Sequence, residues 1–126
     1  MERFVAHTAK PTVESFLPLN PNDYLILFSL TDQERHGYGL VKHIAELSGG
    51  TVTLDPANLH RSLKRMVKQG LVIDAQVKAT GETGHERRRY YAVTKLGRKV
   101  AAAEANRMRQ LARRAEARRL ISRSGA

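Results

Sequence analysis

The first strong pattern is an almost unbroken apolar run from Tyr24 to Leu30, broken only by Ser29. As a helix it must be covered on most sides. Asn20-Pro21-Asn22-Asp23 marks its start, with Asn20 as N-cap, Pro21 at the first helical position and Asp23 near the positive end of the dipole. Thr31-Asp32 ends it. A second helix opens at His36-Gly37-Tyr38 and runs to Ser48, where Gly49-Gly50 stops it. Leu40, Val41, Ile44 and Leu47 share one side, with Lys42, His43 and Glu46 opposite. Thr51 to Leu54 is β-branched and reads as a minimal strand or an extended linker. Residues 1–19 show no clear period. Phe4, Val5, Phe16 and Leu17 are apolar enough to dock, Lys10-Pro11-Thr12 breaks the chain, and a short helix fits around 12–17.

Asp55-Pro56 is the strongest helix start in the sequence, a capping carboxylate followed by proline, and Gly70 ends that third helix. Leu71 to Ala79 alternates and is rich in Val and Ile. Glu86 to Val93 carries Tyr90, Tyr91 and Val93, and Thr80 to His85 forms a polar tip between the two, so the pair predicts a hairpin. Thr94 then caps a final helix predicted over 95–121, roughly 40 Å long. The order is helix, helix, helix, hairpin, long helix, with no repeat and no second domain. Tyr38 and Phe28 are expected in the core, because a short chain needs its few aromatics inside.

The third helix separates its two kinds of side chain cleanly. At about 100° per residue, Leu59, Leu63, Met66 and Val67 share one arc. Ala57, Arg61, Lys64, Arg65 and Lys68 hold the opposite arc, with His60 and Asn58 at its margins. A narrow apolar stripe with four cations turned outward suits a helix lying in a DNA major groove. In that placement Ala57 permits close approach, Asn58 pairs with adenine and Arg61 reaches guanine, while Lys64 and Lys68 meet phosphates. The bland alternative is an ordinary solvated helix face. A short helix joined to this one by a Gly-containing turn makes a helix-turn-helix layout, although Gly49 to Leu54 exceeds the minimal turn. Arg87-Arg88-Arg89 lies on the second hairpin strand, where alternation puts Arg87 and Arg89 on one face with Tyr91 and Arg88 on the other. These arginines, with His85 and Lys78 nearby, are placed to grip a phosphate or enter a minor groove.

Charge agrees with a polyanionic partner. The 126 residues carry 22 Lys and Arg against 12 Asp and Glu, a net charge of +10, with an isoelectric point near 10.5. Residues 1–94 hold 12 basic and 10 acidic side chains, and residues 95–126 hold 10 and 2, so most of the excess sits in the tail. The absence of cysteine removes disulfides, thiolate nucleophiles and Cys-based zinc sites. No apolar run is long enough to span a bilayer, and Met1 to His7 lacks the plan of a signal peptide. A cytoplasmic location without membrane association is expected. His7, His36, His43, His60 and His85 show no metal-ligand spacing, and no Gly-rich phosphate loop follows a strand, so neither an enzyme nor a cofactor or metal site is expected. Ser48-Gly49-Gly50 reads as a helix stop, and His36 as a turn residue.

Four segments in order resemble the PadR family of transcriptional regulators: His36-Gly37-Tyr38-Gly39-Leu40, Asp55 to Met66, Gly70-Leu71-Val72, and Arg88 to Arg98. The resemblance spans about residues 19–100. It implies a mainly α fold with a small β-hairpin, a winged helix-turn-helix followed by a long dimerisation helix. It further implies a homodimer that represses nearby promoters, often relieved by a small molecule. On this plan residues 1–19 are an N-terminal arm, 20–94 the DNA-binding domain, 95–121 the dimerisation helix and 122–126 a flexible tail. The family commonly has Gly-Thr-Leu-Tyr where this chain has Ala57-Asn58-Leu59-His60, so operator preference does not carry over.

The final helix mixes Leu96, Val100, Met108, Leu111 and Leu120 with many alanines, and Ala101, Ala105, Met108, Ala112 and Ala115 follow an approximate 4-3-4-3 spacing. Val100, Met108, Leu111, Ala112 and Ala115, with Tyr24 and Phe28, are expected to face a twofold mate. The arginines from Arg107 to Arg123 are expected to be mostly solvated. Phe16, Tyr24, Phe28 and Met108 are the candidates to line a pocket for a small aromatic effector, which nothing in the sequence requires. The alternative function is a winged-helix module that binds protein or RNA without operator specificity. Bases splayed for stacking would need exposed aromatics, whereas Tyr90 and Tyr91 lie in a strand where at least one is buried.

Overall fold

The computed structural model describes residues 11–80 and 86–122. Its elements are a 3-10 turn (Val13–Phe16), α1 (Pro21–Ser29), β1 (Arg35–His36), α2 (Gly37–Leu47), α3 (Pro56–Lys68), β2 (Val72–Thr80), β3 (Glu86–Val93) and α4 (Lys95–Ala117). Each α-helix begins where a side chain accepts its first free amides. Asn20 accepts from Asp23 N in α1, and Asp55 accepts from Ala57 N and Asn58 N in α3. Thr94 accepts from Gly97 N in α4. The cap of α2 is less common: the imidazole of His36 accepts from Gly39 N at 3.1 Å through Nδ1.

One apolar core joins all the helices to the sheet. Ile26, Leu27 and Leu30 from α1 meet Leu40 and Ile44 from α2, Leu59, Leu63 and Met66 from α3, Leu71, Val72 and Tyr91 from the sheet, and Val100 and Ala101 from α4. Full burial of such side chains contributes about 1.5–3 kcal/mol each. The 3-10 turn lies against α4, so the expected short helix around 12–17 exists as a single tight turn.

The hairpin has a third strand that the sequence did not reveal. β1 pairs with β3 at Arg35↔Tyr91 and His36↔Tyr90, and the sheet order is β1-β3-β2. Two residues carry no periodicity, which is why β1 was invisible. Thr51 to Leu54 is the extended linker and makes no strand. Ser48 organises it, its hydroxyl donating to Ile44 O at 2.9 Å and accepting from Val52 N at 3.0 Å. The register of β2 on β3 shifts between Asp74 and Gln76, a bulge that bends the wing.

Three expectations are corrected here. Tyr38 is 68% exposed and Phe28 42% exposed, so neither is a core residue. Each lies across its helix from the buried stripe, and smaller aliphatics fill the interior. Leu47, at the end of α2, is likewise 42% exposed. The last helix ends at Ala117 rather than 121, because Arg119 turns to φ 61° and Leu120 N donates back to Ala115 O at 2.9 Å. No described helix is long and apolar enough to cross a membrane.

The start of α4 is fixed by close approach. A Cβ at Gly97 would collide with the Leu71 carbonyl oxygen and lie 2.8 Å from Val93 Cγ2, while Leu71 O already accepts from Thr94 N at 3.0 Å. Gly97→Ala is therefore expected to cost about 1–3 kcal/mol, read as a lowered midpoint in thermal unfolding. A variant as stable as the parent would show that α4 can back away from the sheet.

Candidate nucleic-acid interface

The surface of interest is built from the outer face of α3, the first turn of α2 and the wing. Burial of Leu59, Leu63 and Met66 turns the opposite face of α3 outward, and Ala57, Asn58, His60, Arg61, Lys64 and Lys68 are all exposed. Within this set Arg61 donates to Asn58 Oδ1. The pair is solvated, so parting it to reach another acceptor costs little.

Arg65 departs from the expected outward row. Its guanidinium forks onto Asp23 of α1, Nη1 to Oδ2 at 2.8 Å and Nη2 to Oδ1 at 2.9 Å. Asp23 is 6% exposed. Those hydrogen bonds push the Arg65 guanidinium above its ordinary range. Arg65 keeps 45% of its side chain exposed, so the cationic face of α3 is Arg61, Lys64 and Lys68 with Arg65 held at its edge by the scaffold. Wheel arithmetic places Arg65 at the edge of the cationic arc, but only tertiary contact reveals its partner.

The wing supplies two further cations in particular settings. Arg89 is ion-paired with Asp74 across the hairpin, and these two border a depression with His60, Lys64, Val67 and Tyr91. Arg88 lies with its guanidinium carbon 5.8 Å from the centre of the Tyr38 ring. His85 and the side chains of Lys78 and Arg87 fall outside the described residues. Tyr91 is buried and Tyr90 half-buried, as strand geometry requires.

Tyr38 was missed as a site residue. Its ring stacks on His36 with centroids 6.4 Å apart, and Tyr90 meets His36 edge-on at 5.2 Å. Tyr38 and His36 wall a groove of about 660 Å³ between α2, α3 and the wing, floored by Val41, Leu59, Leu63 and Tyr91 and rimmed by His60, Arg88 and Arg89. The signal was present in the sequence: Tyr38 lies about 160° from Leu40 on the helical wheel, opposite the buried stripe.

The other expected sites lie away from this groove. Tyr24 and Phe28 stack at 5.9 Å on the outer side of α1. Burial, then the negative charge of Glu104, raises the Tyr24 hydroxyl pKa. Phe16 packs against the core and Met108 is 37% exposed; none of these four lines the groove described above. Leu111 and Ala112 are exposed and Ala115 half-buried. Val100 is fully buried in its own chain's core, which removes it from any surface shared with a mate. Arg107, expected in solvent, is tied to the buried Glu104.

The sequence profile of the PadR-like family of transcriptional regulators matches residues 26–103, from the middle of α1 into α4. The chain belongs to the PadR-like family. Its fold is the winged helix of that family. A PadR family transcription regulator from Clostridium difficile is similar with a TM-score of 0.65 and 23% identity, covering 79% of this chain and 98% of that one. A transcriptional regulator from Clostridium thermocellum gives 0.59 and 23%, covering 73% and 84%. Bacillus subtilis PadR, solved in complex with operator DNA, gives 0.58 and 20% over 68% of this chain, and the match spans only 47% of that protein. No curated protein matches the sequence.

The PadR-like chain carries a titratable cap at this surface. His36 Nδ1 accepts from Gly39 N, so the neutral ring holds its proton on Nε2 and a second proton would destroy the acceptor. Burial first, then the charge of Arg88, lowers the His36 pKa. The unfolded chain therefore binds this proton more readily, and stability falls as pH drops from the ordinary histidine value of 6.5 toward the lowered one. His36→Asn keeps a capping acceptor that takes no proton. Thermal unfolding between about pH 7.5 and 5.5 is expected to fall less steeply for that variant than for the parent; equal slopes would place the sensitivity elsewhere.

Proposed function

We propose that this protein is a sequence-specific double-stranded DNA-binding regulator, acting as a homodimeric repressor on a pseudo-palindromic operator. The observation that carries the reading is the face of α3. Three cations and two small or amide side chains are held outward by burial of the opposite stripe, next to a wing that adds Arg88 and Arg89. In a major groove Ala57, Asn58 and Arg61 meet base edges from the first two turns, while Lys64, Lys68 and His60 meet the backbone. The operator-bound state of Bacillus subtilis PadR supports the same use of a shared fold.

The dimer reading is supported by the exposed apolar face that α4 and α1 leave beyond the core. Met108, Leu111, Phe28 and half-buried Tyr24 lie on it with the small side chains of Ala112 and Ala115. A twofold pairing there presents two α3 helices to successive major grooves, about 34 Å apart. Relief by a small aromatic compound belongs to the same reading. Its candidate lining is Phe16, Tyr24, Phe28 and Met108.

Selection from a random duplex pool, followed by salt-dependent gel shifts of the winning duplex and of RNA of the same sequence, tests the proposal. A pool that yields no preferred duplex, or equal binding of RNA, would overturn it in favour of an interaction module. On the selected duplex Arg61→Ala is expected to cost about 1–3 kcal/mol and to relax discrimination at one position. Lys68→Ala is expected to weaken all duplexes alike and to lower the salt slope by about 1. Sedimentation is expected to give a dimer at micromolar concentration; a monomer there would remove the palindrome from the reading.

A further inference from the structure

Two carboxylates are buried in this basic protein in places where apolar side chains would serve packing equally well. Glu104 of α4 is 2% exposed and Asp23 of α1 is 6% exposed. Glu104 Oε1 accepts from Leu19 N at 3.2 Å and from Arg107 Nε at 3.0 Å, and Oε2 accepts from Arg107 Nη2 at 2.6 Å. The Arg107 bonds first, helped by the Leu19 amide, hold the Glu104 carboxyl below the usual range against the opposing effect of burial. One peptide bond further on, Asn20 Oδ1 accepts from Asp23 N at 2.8 Å. Asp23 in turn receives the fork of Arg65 from α3.

From α4 to α3, then, each step is a hydrogen bond or a short length of backbone in the first turn of α1. We propose that this turn is a polar node that sets the roll of α3 from α4, with Glu104 and Asp23 as positioning residues for the face that α3 presents. The functional part of this inference rests on α3 being the helix that meets the duplex.

Energetics favour a positioning role over a merely stabilising one. The carboxylates are buried while the side chains of Arg65 and Arg107 stay 45% and 39% exposed. Each pair therefore gains little net stability over apolar packing, and the best-attested use of buried charges is to specify register. Apolar ridges tolerate rotation, whereas a two-pronged Arg–carboxylate contact has a preferred plane and direction. Arg65 lies four residues after Arg61 and three before Lys68, at the margin of the cationic arc. At the outer helix radius of about 5–6 Å, a roll of about 20° moves a side-chain tip by about 2 Å. That displacement exceeds the whole 2.7–3.2 Å window of an N–H···O bond. Loss of the node is therefore expected to blur base reading before it weakens phosphate contact.

Full-length Glu104→Gln, Asp23→Asn, their double variant and Arg65→Lys test the node. Without DNA, hydrogen exchange of the amides of residues 59–68 is expected to speed up by about fivefold or more in Glu104→Gln, with residues 40–44 of α2 unchanged. With DNA, each single variant is expected to lower the ratio of selected-duplex to scrambled-duplex affinity by about fivefold. The double variant is expected to lose little more, because both changes break one chain. Arg65→Lys, which keeps the charge and loses the fork, is expected to behave like Asp23→Asn. Unchanged exchange in α3, a uniform rise in all helices, or losses that multiply in the double variant would each overturn the proposal. If the parent prefers no duplex, the functional reading fails while exchange in Glu104→Gln alone still decides the node. That readout also serves if the double variant does not fold.

Discussion

The arrangement depends on the burial of one narrow stripe. Leu59, Leu63 and Met66 lie within about a quarter-turn of α3, and with all three in the core the opposite face must turn outward, leaving only a fine adjustment of roll. Arg61, Lys64 and Lys68 are outside because these three are inside. The cations need no partner of their own to be displayed. The cost of burying an ammonium or guanidinium without one keeps them there. The wing follows from the same core, since Tyr91 and Val72 join it and so fix where β2 and β3 leave the body.

Most of this architecture was legible in the residues. The starts of α1, α3 and α4 were visible because Asn20-Pro21, Asp55-Pro56 and Thr94 are caps whose chemistry is local. The hairpin was visible because alternation between Leu71 and Val93 has a period of two. What escaped depends on contacts between segments distant in sequence. β1 is too short to carry a pattern. The partner of Arg65 lies 42 residues away, and that of Leu19 N lies 85 residues away. Tyr38 and Phe28 were misplaced for a different reason. A general preference for buried aromatics was applied to both. The helical wheel places Tyr38 opposite the apolar stripe of α2, whereas α1 is apolar on nearly every side and its pattern does not single out Phe28.

The candidate surface shows the same division. Exposure of Ala57, Asn58, His60, Arg61, Lys64 and Lys68 follows directly from the period of α3. Pairing of Arg89 with Asp74 depends on the register within the hairpin, and the seat of Arg88 over Tyr38 requires the wing to lie against α2. Arg88 and Arg89 therefore do not act as an undifferentiated positive patch. Arg88 and Arg89 are each oriented by a neighbour, which limits the directions from which an anion can be met.

The outer part of α4 has a consequence for how the chain acquires its helix content. Contact with the core reaches Glu104, and the 13 residues from Ala105 to Ala117 extend past it. The residues up to Glu104 already nucleate the helix, so each further turn of the arm adds only propagation, which is close to balance for solvated residues in water. On the dimer reading proposed above, coverage of its apolar side would tip that balance, and dilution would then shorten the rod before it disturbs the globular body.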